Sequence, residues 1–138
     1  MYVSNNTLWS GTSKTIYDPC PPGWMVPAGG DYESGGLWAV TLGRDSGNSV
    51  TSYSNSNYGA SMAGQFASGM VWFPWAGYRQ QTTGALTGLG SGAYSITWSG
   101  TYRNNKNACA LLINTTPIVN SPQAKGRGCS VRCVKKQQ

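Results

Sequence analysis

Residues that turn or break a polypeptide are spread along this whole sequence, and they limit the length of any helix or strand. The 138 residues include 19 glycines and 7 prolines. Proline fixes φ and lacks a backbone donor, so the run Asp18-Pro19-Cys20-Pro21-Pro22-Gly23-Trp24 excludes a helix and predicts a rigid turn. Six tryptophans and eight tyrosines argue against disorder, because disordered chains are poor in aromatic residues. The sequence indicates a turn-rich domain with an aromatic core.

The apolar pattern predicts an α+β domain dominated by short antiparallel strands. Strands are predicted at residues 14–17, 70–75, 94–98, 109–113 and 130–134. In the third of these, Tyr94, Ile96 and Trp98 alternate and share one face.

Other parts of the chain predict different structures. Residues 37–42, before Gly43, predict a short helix. Residues 43–69 are rich in Ser, Asn and Gly and predict a long loop. Residues 1–13 are polar and are expected to be a peripheral N-terminal segment, while residues 14–138 form one domain.

The distribution of charge excludes several kinds of chemistry. The chain contains no histidine, which removes catalysis through a histidine base and any histidine-ligated metal. The net charge is +6, and residues 46–138 hold eight Lys and Arg and no carboxylate. That part can supply neither a general acid–base pair nor a tight calcium site. Its cations are dispersed, so we expect no nucleic-acid partner. Because the chain lacks histidines and this part of it lacks carboxylates, we also expect no metal, no cofactor and no catalysis.

The four cysteines, Cys20, Cys109, Cys129 and Cys133, indicate disulfides and an oxidising compartment, and three pairings are possible. No apolar run approaches the roughly 20 residues of a membrane span. The first residues resemble no signal peptide, so we expect a domain cut from a longer exported protein, with Met1 added for expression. The alternative is a reduced cytosolic protein with buried thiols.

Aromatic and short polar residues in the second half are candidates for a binding surface. Trp72 and Trp98 are expected in the core, whereas Trp75 and Tyr102 each fit a core position and a surface position equally well. The polar segments 80–83 and 102–106 contain the Gln, Thr, Tyr, Arg and Asn that adaptable recognition surfaces use. Taken alone, the same residues also fit an ordinary solvated loop surface, and Arg79 fits a structural role.

Two groups of motifs resemble a known family. Residues 14–27, Lys-Thr-Ile-Tyr-Asp-Pro-Cys-Pro-Pro-Gly-Trp-Met-Val-Pro, are similar to the opening signature of the fimbrillin-associated major paralogous domains of gut Bacteroidota. Residues 73–79, Phe-Pro-Trp-Ala-Gly-Tyr-Arg, and 130–134, Ser-Val-Arg-Cys-Val, resemble the C-terminal half of that family in the same order. Several members resemble the variable proteins of diversity-generating retroelements, in which a reverse transcriptase rewrites adenine-rich codons. The resemblance implies a C-type lectin-like fold and a variable region at about 72–134.

The resemblance also implies particular residues for the site. The variable, ligand-binding positions would be Trp75, Gln80, Gln81, Thr82, Thr87, Ser91, Ala93, Ser95, Thr97, Tyr102 and Arg103. A C-type lectin-like fold brings its terminal strands together, which implies a Cys20–Cys133 disulfide. Cys109 and Cys129 would then be left to form a second one.

The implied function is non-catalytic ligand binding. The chain would be an adhesin-type domain at a pilus tip or cell surface, part of a parent pilus or surface protein, and would hold a protein or glycan receptor on a host or microbial surface. Three alternatives remain: the receptor-binding domain of a phage tail, an oxidase resembling formylglycine-generating enzymes that uses Cys129 and Cys133 for copper, and a structural pilin subunit.

Overall fold

In a computed structural model, described over residues 8–10, 13–27, 42, 49–56, 58–63, 70–89 and 93–135, the chain forms ten short strands. They are β1 (Trp24–Met25), β2 (Tyr53–Asn55), β3 (Gly59–Ala63), β4 (Met70–Pro74), β5 (Tyr78–Arg79), β6 (Leu86–Thr87), β7 (Ser95–Tyr102), β8 (Asn107–Ile113), β9 (Ile118–Ala124) and β10 (Val134–Lys135). The strands form four small sheets, ordered β1-β10, β2-β3-β4, β5-β6 and β7-β8-β9. Within each sheet the neighbouring strands are antiparallel.

The two three-stranded sheets pack face to face, as in a β-sandwich. Strands β3 and β4 direct Ala60, Met62 and Phe73 towards Leu111 and Ile113 of β8. We call this contact the first core, and it comprises Leu42, Val50, Ala60, Met62, Phe73, Leu111, Ile113 and Val119. Each of its large side chains contributes about 1.5–3 kcal/mol through burial. The first core joins the two sheets into one body.

The opposite face of the β7-β8-β9 sheet is also covered. Because side chains alternate along a strand, Ile96 and Trp98 of β7 and Ala110 of β8 lie on this face. We call it the second core, and it comprises Tyr78, Ile96, Trp98 and Ala110, with Trp9, Tyr94, Ala108, Leu112 and Cys129 packed against them. The shared face predicted for Tyr94, Ile96 and Trp98 is confirmed. The sheet is therefore buried on both faces.

The predicted α+β class and the C-type lectin-like fold are wrong. About half of the described residues lie in strands or bridges, and no helical element lies wholly within the described part of the chain. The helix predicted at 37–42 lies outside the described residues except for the buried Leu42. The main error was the loop predicted at 43–69, which contains β2 and β3. Strand β3 consists mostly of small residues, so no clear hydrophobic alternation marks Ala60 and Met62 as inward-facing.

Two smaller predictions also fail. Residues 14–17, predicted as a strand, form an irregular segment that ends in a turn. Trp72, predicted in the core, is 49% exposed, because inward-facing Phe73 turns its neighbours on β4 outwards. By contrast, the strands predicted at 70–75 and 109–113 are confirmed as β4 and as part of β8. Of residues 130–134, only the last belongs to a strand, β10, although Ser130 bridges to Thr97.

A disulfide joins the two ends of the described chain. Cys20 and Cys133 are bonded, as predicted, beside the pairing of β1 with β10. The buried Asp18 fixes the adjoining turn by accepting hydrogen bonds from the backbone amides of Cys20 (2.8 Å) and Val26 (3.1 Å) and from Lys14 Nζ (3.2 Å). Burial raises the pKa of Asp18, but these bonds favour its carboxylate more strongly and leave the pKa below the ordinary value. The network therefore stabilises the turn at neutral pH and weakens as pH falls through that lowered pKa.

Candidate ligand-binding site

The β5–β6 hairpin projects the first group of predicted binding residues. Its base is anchored in the second core by Tyr78, whose ring centroid lies 5.7 Å from that of Tyr94. Its turn is closed by the backbone bond from Gly84 N to Gln80 O (2.9 Å) and by Arg79 Nη1, which donates to the Gly84 carbonyl (3.0 Å). The structural role expected for Arg79 is therefore present. Gln81 and Thr82 are exposed at the tip, while Gln80 and Thr87 are half-buried.

Gly77 sets the position of this hairpin, and its replacement tests that role. Gly77 has a φ of +66°, and a Cβ there would lie 2.3 Å from the carbonyl oxygen of Thr87. Gly84 has a similar φ of +69° but nothing within 4 Å of its Cβ position, so it is a matched control. We expect Gly84→Ala to lower the free energy of unfolding by about 1 kcal/mol through backbone strain. Gly77→Ala should lower it by about 3 kcal/mol, because the Thr87 carbonyl must also move.

Urea denaturation followed by tryptophan fluorescence measures both changes. Equal losses for the two glycine variants would contradict the close approach of Gly77 to β6.

The β7–β8 hairpin presents the second group. Tyr102 at the end of β7 is 54% exposed, and Arg103 follows it on the surface. The turn after β9 lies between the two hairpins, because Gly128 bridges to Arg79 while Lys125 Nζ lies 5.7 Å from the Tyr102 ring centroid. We call the surface formed by the two hairpins the display surface. Its predicted residues are Gln80, Gln81, Thr82, Thr87, Tyr102 and Arg103.

Other predicted binding residues do not lie on this surface. Ser95 and Thr97 are only 1% and 3% exposed, because their face of β7 is covered by the β2-β3-β4 sheet. Ala93 is also buried, and Trp75 is half-buried against the first core. The structure therefore buries the side chains of Ser95, Thr97 and Ala93, whereas Trp75 is partly exposed, as Gln80 and Thr87 are. Ser91 lies outside the described residues.

The second predicted disulfide does not form. Cys109 lies on the face of β8 that carries Leu111 and Ile113, whereas Cys129 packs against the second core on the other side of the sheet. Both remain thiols because the sheet separates them. Burial raises the pKa of the Cys129 thiol to about 12, so it is protonated at neutral pH.

A groove opens beside Tyr102, at an irregularity in the sheet. Trp98 pairs with Ala110 and Tyr102 pairs with Ala108. Between these two pairs β7 advances by four residues and β8 by only two, so β7 bulges. Such a bulge displaces the strand and opens space at a sheet edge. We call the resulting cavity, of about 220 Å³, the aromatic groove. It is lined by Leu8, Trp9, Trp98, Ser99, Gly100, Thr101, Tyr102, Ala108 and Lys125.

The surroundings of the aromatic groove are basic. Lys125 lines it, and the Lys125 backbone amide donates to the carbonyl of Lys106 (3.0 Å), which places the two residues side by side. Arg103 follows the groove residue Tyr102. Among the described residues the one acid is Asp18, whose carboxylate is bonded to Lys14. The groove therefore combines flat aromatic rings with positive charge, which favours an anionic ligand.

Of the nine residues that line the groove, only Tyr102 was a predicted binding residue, and Trp9 and Lys125 are two of those that were not predicted. Trp9 was assigned to a peripheral polar segment, yet its ring packs against the second core and its Nε1 donates to the Tyr17 carbonyl (2.9 Å). The sequence signal for this packing was a single tryptophan in an otherwise largely polar segment. Lys125 was counted among dispersed surface cations, and nothing in its local sequence places it beside Tyr102.

The comparisons do not assign the chain to a family. No protein-family model, curated protein or solved structure matches the sequence or its fold. Within the described residues, no helix has both the length and the apolar composition needed to cross a membrane. The Cys20–Cys133 disulfide is compatible with an extracellular location.

Proposed function

We propose that this protein is a non-catalytic, adhesin-type domain that binds a protein or glycan receptor through the display surface. The proposal is supported chiefly by the separation of frame and surface: both faces of the β7-β8-β9 sheet are filled, while Gln81, Thr82, Tyr102 and Arg103 are exposed on two hairpins. Tyrosine offers a large contact area at low entropic cost, and the polar residues offer adaptable hydrogen bonds. Together they suit recognition of a partner better than chemistry.

We further propose that the display surface is diversified by a retroelement and sits at a pilus tip or cell surface. The motif resemblance supports this, and six of the implied variable positions belong to the two hairpins. A diversified surface requires a scaffold that folds with many different surface side chains. The disulfide supports the proposal, because a covalent closure makes folding less dependent on the identity of those side chains.

The copper oxidase alternative lacks the pair of thiolate ligands that it requires. It requires Cys129 and Cys133 as a thiolate pair, but Cys133 is bonded to Cys20. This observation favours binding over this particular oxidation chemistry.

Glycan and protein arrays test the proposed function. Gln80→Ala/Gln81→Ala/Tyr102→Ala removes three side chains of the display surface. Ser52→Ala/Ser54→Ala/Tyr58→Ala is the matched control, because it removes one exposed tyrosine and two exposed polar groups near β2 and β3. We expect the wild-type signal to fall at least tenfold in the first variant, as loss of a tyrosine hot spot does, and to persist in the control. Equal signals from both variants would place the binding surface elsewhere.

The DNA around the gene tests diversification. We expect a nearly identical, adenine-rich copy of the codons for residues 72–134 beside a reverse-transcriptase gene. A complete genome without such a copy would contradict the retroelement while leaving the binding function to the arrays.

A further inference from the structure

We propose that the aromatic groove binds one acidic sugar unit, a pyranose ring that carries a carboxylate. The inference rests on the proposed function, since Tyr102 belongs to both the groove and the display surface, and it names the ligand class for this part of the site. The occupant is identified from the size, the ring faces and the charge of the groove.

The size of the groove limits the ligand to a single small ring. Its volume of about 220 Å³ lies below the roughly 300–1,000 Å³ typical of sites for drug-sized ligands. The floor includes Trp98, which is 6% exposed and held in the second core, so it cannot withdraw to enlarge the space. The wall formed by Ser99 is also fixed, because its Oγ donates to the Cys109 carbonyl (2.7 Å).

The lining provides both kinds of contact that a sugar requires. Trp9 and the exposed Tyr102 offer apolar ring surface against which the C–H face of a pyranose can pack, while the buried Trp98 closes the bottom of the groove. Thr101 stands beside these rings along the bulge of β7, where its hydroxyl can meet a sugar hydroxyl, whereas the Ser99 hydroxyl is already bonded to the Cys109 carbonyl. An extended peptide would instead need a longer open strand edge, whereas this cavity is confined to one bulge.

The charge of the groove selects an acidic sugar over a neutral one. Lys125 lines the cavity and its ammonium group lies over the Tyr102 ring, 5.7 Å from the ring centroid, so a sugar packed against the edge of that ring would hold a carboxylate within reach of the ammonium. Lys106, whose backbone carbonyl accepts from the Lys125 amide, adds positive potential beside Lys125.

Isothermal titration calorimetry with defined sugars tests the inference. The probes are 3′-sialyllactose, a disaccharide ending in glucuronic acid, and lactose as the neutral control. We expect at least one acidic probe to bind at least tenfold more tightly than lactose. The two acidic arms distinguish a sialic acid from a uronic acid as the source of the carboxylate. Equal affinity for all three probes, or no binding of either acidic probe, would overturn the inference.

Two pairs of matched variants locate the site. Lys125→Gln should weaken acidic-sugar binding at least fivefold, whereas Lys135→Gln, which removes the same charge on β10, should leave it unchanged. Tyr102→Ala should abolish binding, whereas Tyr58→Ala, at a more exposed tyrosine next to β3, should not. All four side chains are exposed or line the groove, and unchanged melting temperatures would establish that the variants fold. Equal losses within either pair would contradict the assigned groove.

The result is separable from the array experiment. If the array signal depends on Gln80 and Gln81 but no acidic probe binds, the inference fails and the proposed function stands. If an acidic probe binds through Lys125 but the variant in which Gln80, Gln81 and Tyr102 are replaced keeps its array signal, the proposed display surface fails and the groove stands.

Discussion

Replacing Cys20 and Cys133 by serine is expected to lower the free energy of unfolding by about 4 kcal/mol. The disulfide closes a loop with a sequence separation of 113, and closing a loop of this length lowers the conformational entropy of the unfolded chain by an amount worth about 4–5 kcal/mol. Loss of the bond also releases the pairing of β1 with β10, which consists of only two residues in each strand. The change amounts to a large share of the stability of an ordinary domain.

Urea denaturation in the absence of reductant measures this effect. Cys129→Ser is the control, because it replaces a half-buried thiol that takes part in no disulfide. We expect the control to lose less than about 1.5 kcal/mol. If the double variant lost no more than Cys129→Ser, the disulfide would not be a main source of stability, and the proposed tolerance of the surface to substitution would lose its basis.

Thr97→Arg is expected to prevent folding or to cost at least about 4 kcal/mol. Thr97 is buried in β7 opposite Leu111, so an arginine there would place an unpaired charge between the two packed sheets. Thr82→Arg makes the same chemical change at the exposed tip of the β5–β6 hairpin and should alter stability by less than about 0.5 kcal/mol.

Thermal unfolding followed by circular dichroism compares the two arginine variants. A folded Thr97→Arg protein with a melting temperature close to that of Thr82→Arg would contradict the buried position of Thr97. It would also restore Thr97 to the set of residues available for display.

The alternation of buried side chains along β7 is the part of the fold that the sequence could predict. Tyr94, Ile96 and Trp98 carry large apolar side chains at every second position, so their common burial follows directly from strand geometry. The resemblance, by contrast, implied that Ser95 and Thr97 are displayed, and the structure buries them because a second sheet covers their face of β7. The covering strand β3 has the sequence Gly-Ala-Ser-Met-Ala, whose small side chains give almost no local signal for burial.

The site could be predicted only where local sequence decides exposure. Gln81, Thr82 and Arg103 lie in or beside turns, and polar residues in turns remain on the surface. The aromatic groove depends instead on tertiary packing, because Trp9 and Lys125 reach Trp98 and Tyr102 from distant parts of the chain. The missing second disulfide has the same origin. Only the sandwich arrangement reveals that Cys109 and Cys129 lie on opposite sides of one sheet.

The most direct test of the binding surface is a nuclear magnetic resonance footprint. The ¹⁵N-labelled domain would be titrated with the smallest glycan or protein fragment that the arrays identify. We predict that the shifted backbone amides belong to residues 79–87 and 101–107, the two hairpins of the display surface, and to the turn at 125–128 between them. Shifts confined to the outer face of the β2-β3-β4 sheet or to β1 and β10 would contradict the account.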